Sequence, residues 1–126
     1  MNPDDRLKVV KREGKKLSNK ATMLPVKDIK GFDTETKNGK SKVVYKTAHG
    51  EYIDEVRIEQ TVELLCQLEN FTRVDRGSVV NLDAIEEIDE IKHKVYLDKM
   101  RKICLDIAAV HIDLVRELFN KRRKRK

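Results

Sequence analysis

The fold of this chain is decided by one stretch, Phe71-Thr72-Arg73-Val74-Asp75-Arg76-Gly77-Ser78-Val79-Val80-Asn81-Leu82-Asp83-Ala84-Ile85. Apolar and β-branched residues give strand character to residues 71–74 and 79–80. Further short strands are predicted at 85–91, 95–97 and 102–105. Just before the stretch, apolar residues of segment 58–68 recur at helical spacing, which predicts an amphipathic helix of about three turns.

The segments further out extend this β-rich pattern on both sides. Short strands are predicted at 7–11, at 21–24 and in a run that ends near residue 35. Lys37-Asn38-Gly39-Lys40 predicts a tight hairpin, because both Asn and Gly tolerate positive φ, and residues 41–47 should return antiparallel. From Asp106, placed to cap a helix, one helical face carries Ile107, Val110, Leu114 and Leu118.

Composition favours a single small cytosolic domain. The chain has 126 residues, 39% of them apolar and 40% charged, which is enough for one core with a strongly solvated surface. No stretch reaches the ~20 apolar residues that span a bilayer, so we expect no contact with a membrane. The two cysteines, Cys66 and Cys104, have no ligand-spaced neighbours and are expected to be buried thiols.

The excess of positive charge lies at the C-terminus. Residues 121–126 are all Lys or Arg, and removing these six from the 28 basic residues leaves 22, equal to the 22 acidic residues. The net charge of +6 therefore indicates a basic tail that can bind polyanions, and it does not indicate a basic face on the body. The tail can equally be a mobile, solubilising end.

The central stretch resembles the signature of the LytTR family, F-x-R-x-H-R-S-x-x-V-N-x-x-x-I. Six positions match at fixed offsets: Phe71, Arg73, Arg76, Val80, Asn81 and Ile85. Asp75 stands where the signature has His, and Gly77 stands where it has Ser. The flanking pattern of strands and helices agrees with the family over roughly residues 7–118.

The resemblance implies a mainly β fold, an elongated arrangement of small antiparallel sheets with one short packed helix and, here, a C-terminal helix. The domain would cover residues 1–120, with 121–126 as the basic tail. The family implies a bacterial transcriptional regulator that inserts loops into successive major grooves of duplex DNA, with two copies on repeated half-sites that would form a homodimer on the DNA. Many members carry a receiver domain, and this chain is expected to stand alone.

Two loops contain residues suited to DNA contact. The hairpin offers Lys37, Asn38, Lys40 and Lys42 to phosphate oxygens and base edges, or these residues only solubilise its tip. The family's Asn contacts the DNA backbone, which implies that role for Asn81. Alternatively, Asn81 closes an Asx-turn into the residues that follow it. Arg73 and Arg76 would help to position the domain.

The third loop departs from the family. Its members carry a base-reading arginine where this chain, aligned without gaps, has Asp106-Ile107-Ala108-Ala109. Each lost bidentate contact removes about 1–3 kcal/mol of base discrimination. Either Lys102, His111 and the tail compensate for the missing arginine, or the protein has kept the fold and lost sequence recognition.

Two functions stay open: a sequence-specific duplex-DNA-binding regulator, or a protein-interaction module that modulates another regulator. Asp75, Asp106 and Ala108 motivate the second. No catalytic constellation, phosphate-binding glycine loop or metal-ligand spacing occurs in the sequence, so we expect neither an enzyme, nor a cofactor, nor a small-molecule substrate.

Overall fold

The computed structural model describes residues 2–54 and 58–124. The last two residues of the expected tail, and Glu55 to Arg57, lie outside these ranges. Within them the chain forms ten strands: β1 Arg6–Glu13, β2 Lys16–Pro25, β3 Gly31–Lys37, β4 Lys40–Thr47, β5 Gly50–Asp54, β6 Phe71–Asp75, β7 Ser78–Asn81, β8 Glu87–Asp89, β9 Lys94–Tyr96 and β10 Cys104–Asp106. The helices are α1 Ile58–Leu65 and α2 Ala109–Lys124, and 3-10 turns lie at Val26–Asp28 and Leu82–Ala84. No described helix is long and apolar enough to cross a membrane.

The strands form two antiparallel sheets. The larger has seven strands in the order β2-β1-β5-β4-β3-β7-β6, and the smaller has three in the order β10-β9-β8. The mainly β, antiparallel fold that the sequence predicted is confirmed. The predicted hairpin is also confirmed, since Lys37 pairs with Lys40 and the two residues between them have φ values of 54° (Asn38) and 77° (Gly39).

Each face of the larger sheet packs against a different layer. Because successive strand residues point to opposite faces, Val79 and Val80 belong to different cores. On the face of Val79, α1 contributes Val62 and Leu65 to a core that contains Phe32, Tyr45 and Phe71. On the face of Val80, the smaller sheet and α2 contribute Val95, Leu97, Leu105, Ile112 and Val115. Strand β7 and the first two residues of β3, Gly31 and Phe32, are therefore buried on both faces.

The close contact between the two sheets depends on Gly31, at the start of β3. A Cβ atom there would lie 2.6 Å from Leu105 Cδ1 and 2.9 Å from the Val79 carbonyl oxygen. Only glycine leaves room for β10 to approach β3 this closely.

The C-terminal helix differs from its predicted start and its predicted face. Asp106 does not cap it, because Asp106 ends β10 opposite Lys94 and the helix begins at Ala109. Residues 107 and 108 separate β10 from the helix, so the helical spacing cannot be counted from Ile107. The buried side chains of the helix are Ile112 and Val115, whereas Val110 is 84% exposed. The predicted face through Val110 and Leu114 was wrong for this reason.

The predictions for α1 and the cysteines were partly wrong. The helix ends at Leu65, not at residue 68, so Cys66 lies beyond its last residue and is exposed. Cys104 lies in the predicted strand but is only half-buried. Neither cysteine is the buried thiol that its apolar neighbours suggested. The strand predicted over 85–91 is also shorter, since β8 covers only Glu87–Asp89.

Candidate nucleic-acid interface

Two turns that are far apart in sequence lie at the same end of the larger sheet. The pairing of β3 with β7 brings the β6–β7 turn beside β3. There the Thr34 hydroxyl donates to the Gly77 carbonyl at 2.7 Å, and the Ser78 hydroxyl donates to Asp33 Oδ1 at 2.7 Å. We call this end, formed by residues 36–42 and 75–77, the hairpin end. The two turns are held in a fixed relation by these bonds.

The β3–β4 turn projects furthest at the hairpin end. Lys37, Asn38 and Lys40 are all exposed, and the turn extends about four residues, or ~13 Å, past the level of Gly77. Lys42 is half-buried and faces Glu35 across the hairpin. The predicted hairpin residues therefore come together, with three at the tip and Lys42 at its base.

The β6–β7 turn adds Arg76 to the same end. The Arg76 side chain is exposed, while its backbone N–H donates to Asp75 Oδ1 at 2.7 Å. Gly77 replaces the serine of the signature for a steric reason, because a Cβ there would lie 2.7 Å from Thr34 Oγ1. Arg73 is half-buried on β6 and already interacts with groups of the protein.

The first turn of α2 is joined to this end by backbone hydrogen bonds. The Ala108 N–H donates to the Val74 carbonyl at 2.7 Å, and the Ile107 N–H donates to the His93 carbonyl at 2.9 Å. His111, half-buried in this turn, therefore lies near the β6–β7 turn. The sequence reasoning did not propose Lys92, which is exposed in the adjoining β8–β9 turn beside His93. The signal was the Lys92-His93 pair itself, which lies between the strands predicted over 85–91 and 95–97.

Asp106 does not present a free negative charge at this end. Its Oδ1 lies 2.7 Å from Lys94 Nζ, and the carboxylate raises the pKa of that lysine through this hydrogen bond and its charge. The two charges therefore largely offset each other.

Asn81 lies at the opposite end of β7 and its side chain is bound within the protein. Its Oδ1 accepts from Asn70 Nδ2 and from the Asp83 N–H, and its Nδ2 donates to the Ile29 carbonyl, each at 3.0 Å. The residue is only 7% exposed. The Asx-turn considered from the sequence is therefore present, whereas a contact between Asn81 and DNA stays a prediction.

Lys102 and the described part of the tail also lie away from the hairpin end. Lys102 borders a cleft with Thr47 and Ala48 of the β4–β5 region, at the other end of β4. Residues 121–124 continue α2, and the Arg122 guanidinium binds both Asp83 carboxylate oxygens, at 2.6 and 2.8 Å. The nine candidate residues are thus divided between two ends of the molecule.

Comparison with known proteins identifies the fold and the family. The family model of the LytTr DNA-binding domain matches residues 19–120. The solved structure of a LytTr DNA-binding domain from Bacillus cereus is 16% identical with a TM-score of 0.62, over 88% of this chain and 94% of that chain. A comparison with curated protein sequences gives no match. Since the family model covers most of the chain, the protein belongs to the LytTR family of DNA-binding domains.

Proposed function

We propose that this protein is a transcriptional regulator that recognises specific duplex sequences by placing the loops of the hairpin end in the major groove. The observation that carries the proposal is the position of the β3–β4 and β6–β7 turns at the same end of the larger sheet, where the bonds between Thr34 and Gly77 and between Ser78 and Asp33 hold the β6–β7 turn against β3. Two exposed turns with basic or amide side chains on one sheet supply the donors that contact with phosphates and base edges requires.

The chemistry of the exposed side chains supports this role. Lys37 and Lys40 suit phosphate oxygens, Asn38 suits the edge of an adenine, and Arg76 suits a guanine or a phosphate. Of the nearby carboxylates, Asp106 is paired with Lys94, and Asp33 accepts a hydrogen bond from the neutral Ser78 hydroxyl. The pairing with Lys94 therefore reduces the electrostatic repulsion between Asp106 and the DNA backbone.

The remaining candidates take supporting roles in this proposal. Arg73 and Lys42 are half-buried behind the two turns, and His111 lies beside them. Asn81 orders the loop after β7 through its three internal bonds. Lys102 and the tail would contribute only nonspecific attraction to phosphates. Two copies on repeated half-sites are part of the proposal.

A pair of matched double variants tests the proposal. The tip variant, Lys37→Glu with Lys40→Glu, reverses two charges at the hairpin tip. The control, the β2 variant Lys16→Glu with Lys20→Glu, makes the same charge change on the exposed edge strand β2. At fixed salt the tip variant should bind duplex DNA at least about tenfold more weakly than the β2 variant. Its dependence of log affinity on log salt should also fall by about 2, since each lost phosphate contact removes ~0.9.

Equal losses of DNA affinity in the two double variants would show that the hairpin end is not the surface that binds DNA. The alternative of a protein-interaction module predicts that neither variant changes a sequence preference, because there is none to change. Its motivation is weaker in the structure, since Lys94 offsets the charge of Asp106.

A further inference from the structure

The first turn of α2 presents an apolar side chain at the hairpin end. Val110 is 84% exposed, although it belongs to a helix whose buried side chains are Ile112 and Val115. The Ala108 N–H donates a hydrogen bond to the carbonyl of Val74, which lies two residues before Arg76 in the chain. This bond holds the first turn of α2 close to Arg76. Val110 therefore lies beside the β6–β7 turn and contributes little to the core.

The segment that leads into this turn has no polar side chain free to read a base. Asp106 is bound to Lys94 at 2.7 Å, Ile107 is 2% exposed, and the next two residues are alanines. Val110 is the first side chain of the segment that is both large and exposed. A contact from this segment to a base must consequently be apolar.

We propose that Val110 contacts the 5-methyl group of a thymine in the major groove and so selects thymine at one position of the site. This inference rests on the proposed function, because it requires the hairpin end to face DNA. The thymine methyl is the only apolar group that a base pair displays in the major groove, and apolar side chains are its usual partners. A valine held on a helix beside Arg76 offers two methyl groups to it without losing a protein contact.

Deoxyuridine, which lacks only this methyl group, provides the test. A duplex recovered from a random pool with the full chain is resynthesised with each thymine replaced singly by deoxyuridine. Binding is measured for the wild type, for Val110→Ser and for the control Met100→Ser. Met100 is 72% exposed in the β9–β10 loop, at the other end of the smaller sheet.

At one thymine or more, deoxyuridine should weaken binding by the wild type and by Met100→Ser about three- to fivefold, the effect of one buried methyl group. Val110→Ser should bind the two duplexes equally. Equal binding of thymine and deoxyuridine by the wild type at every position would overturn the inference and leave the proposed function standing. A penalty that persists in Val110→Ser would also overturn it. Failure to recover any preferred duplex would overturn the proposed function and this inference together.

Discussion

Replacing Asn81 with alanine should destabilise the protein while leaving the hairpin end intact. The side chain is 7% exposed and makes three hydrogen bonds of 3.0 Å, to Asn70, Ile29 and Asp83. Each such bond contributes about 1 kcal/mol net, and a buried partner left unpaired costs about 1–3 kcal/mol. Together these magnitudes predict a loss of about 2–4 kcal/mol in the free energy of unfolding.

Urea unfolding followed by circular dichroism measures this loss. The control is Asn120→Ala, which removes an exposed amide from α2 and should change stability by less than about 0.5 kcal/mol. Duplex binding is compared at a temperature where all variants are folded, and Asn81→Ala should stay within about threefold of the wild type. A variant as stable as the wild type that binds tenfold more weakly would refute the reasoning, because Asn81 would then contact DNA.

Two further predictions concern the sheet. Arg12 donates two hydrogen bonds of 2.9 and 2.6 Å to the Glu35 carboxylate and so lowers the pKa of Glu35. The pair therefore stabilises the fold at pH values above the pKa of an unperturbed glutamate. This stabilisation is lost as acid protonates Glu35 in the folded protein. Because the carboxylate is partly exposed, Glu35→Gln should lower stability at neutral pH by at most about 1 kcal/mol, and urea midpoints should converge with the wild type in acid; a difference that persists there would contradict the pairing. Gly31→Ala should cost about 1–3 kcal/mol in urea unfolding, because the new Cβ meets Leu105 and the Val79 carbonyl, and an unchanged midpoint would show that the sheets can separate freely.

Local sequence signals predicted the strands and the hairpin well. Asn38 and Gly39 determine a tight turn through their own backbone preferences, and the alternation around them sets the pairing of Lys37 with Lys40. The C-terminal helix could not be predicted as well. Its start depends on the pairing of Asp106 with Lys94 in β10, a contact between residues that no helical pattern reveals.

The candidate interface could be predicted only in part, because it too depends on contacts between residues far apart in the sequence. The residues of each turn were identified from their chemistry and from the family signature. The position of both turns at the same end of the sheet depends on the pairing of β3 with β7 and on the bond from Thr34 to Gly77. The two roles considered for Asn81 could not be separated without Ile29, which is 52 positions away in the chain. Long-range strand pairing therefore supplied what the sequence pattern lacked.

The most direct test of the central claim is selection from a random duplex pool at two salt concentrations, with the full chain and with a version that ends at Asn120. The shorter version lacks the six basic residues and the pair between Arg122 and Asp83. Both versions should enrich the same repeated motif, and the shorter one should bind more weakly and depend less steeply on salt, because it makes fewer contacts with phosphates. Binding that shows no sequence preference and disappears with the tail would contradict the claim that the hairpin end reads DNA.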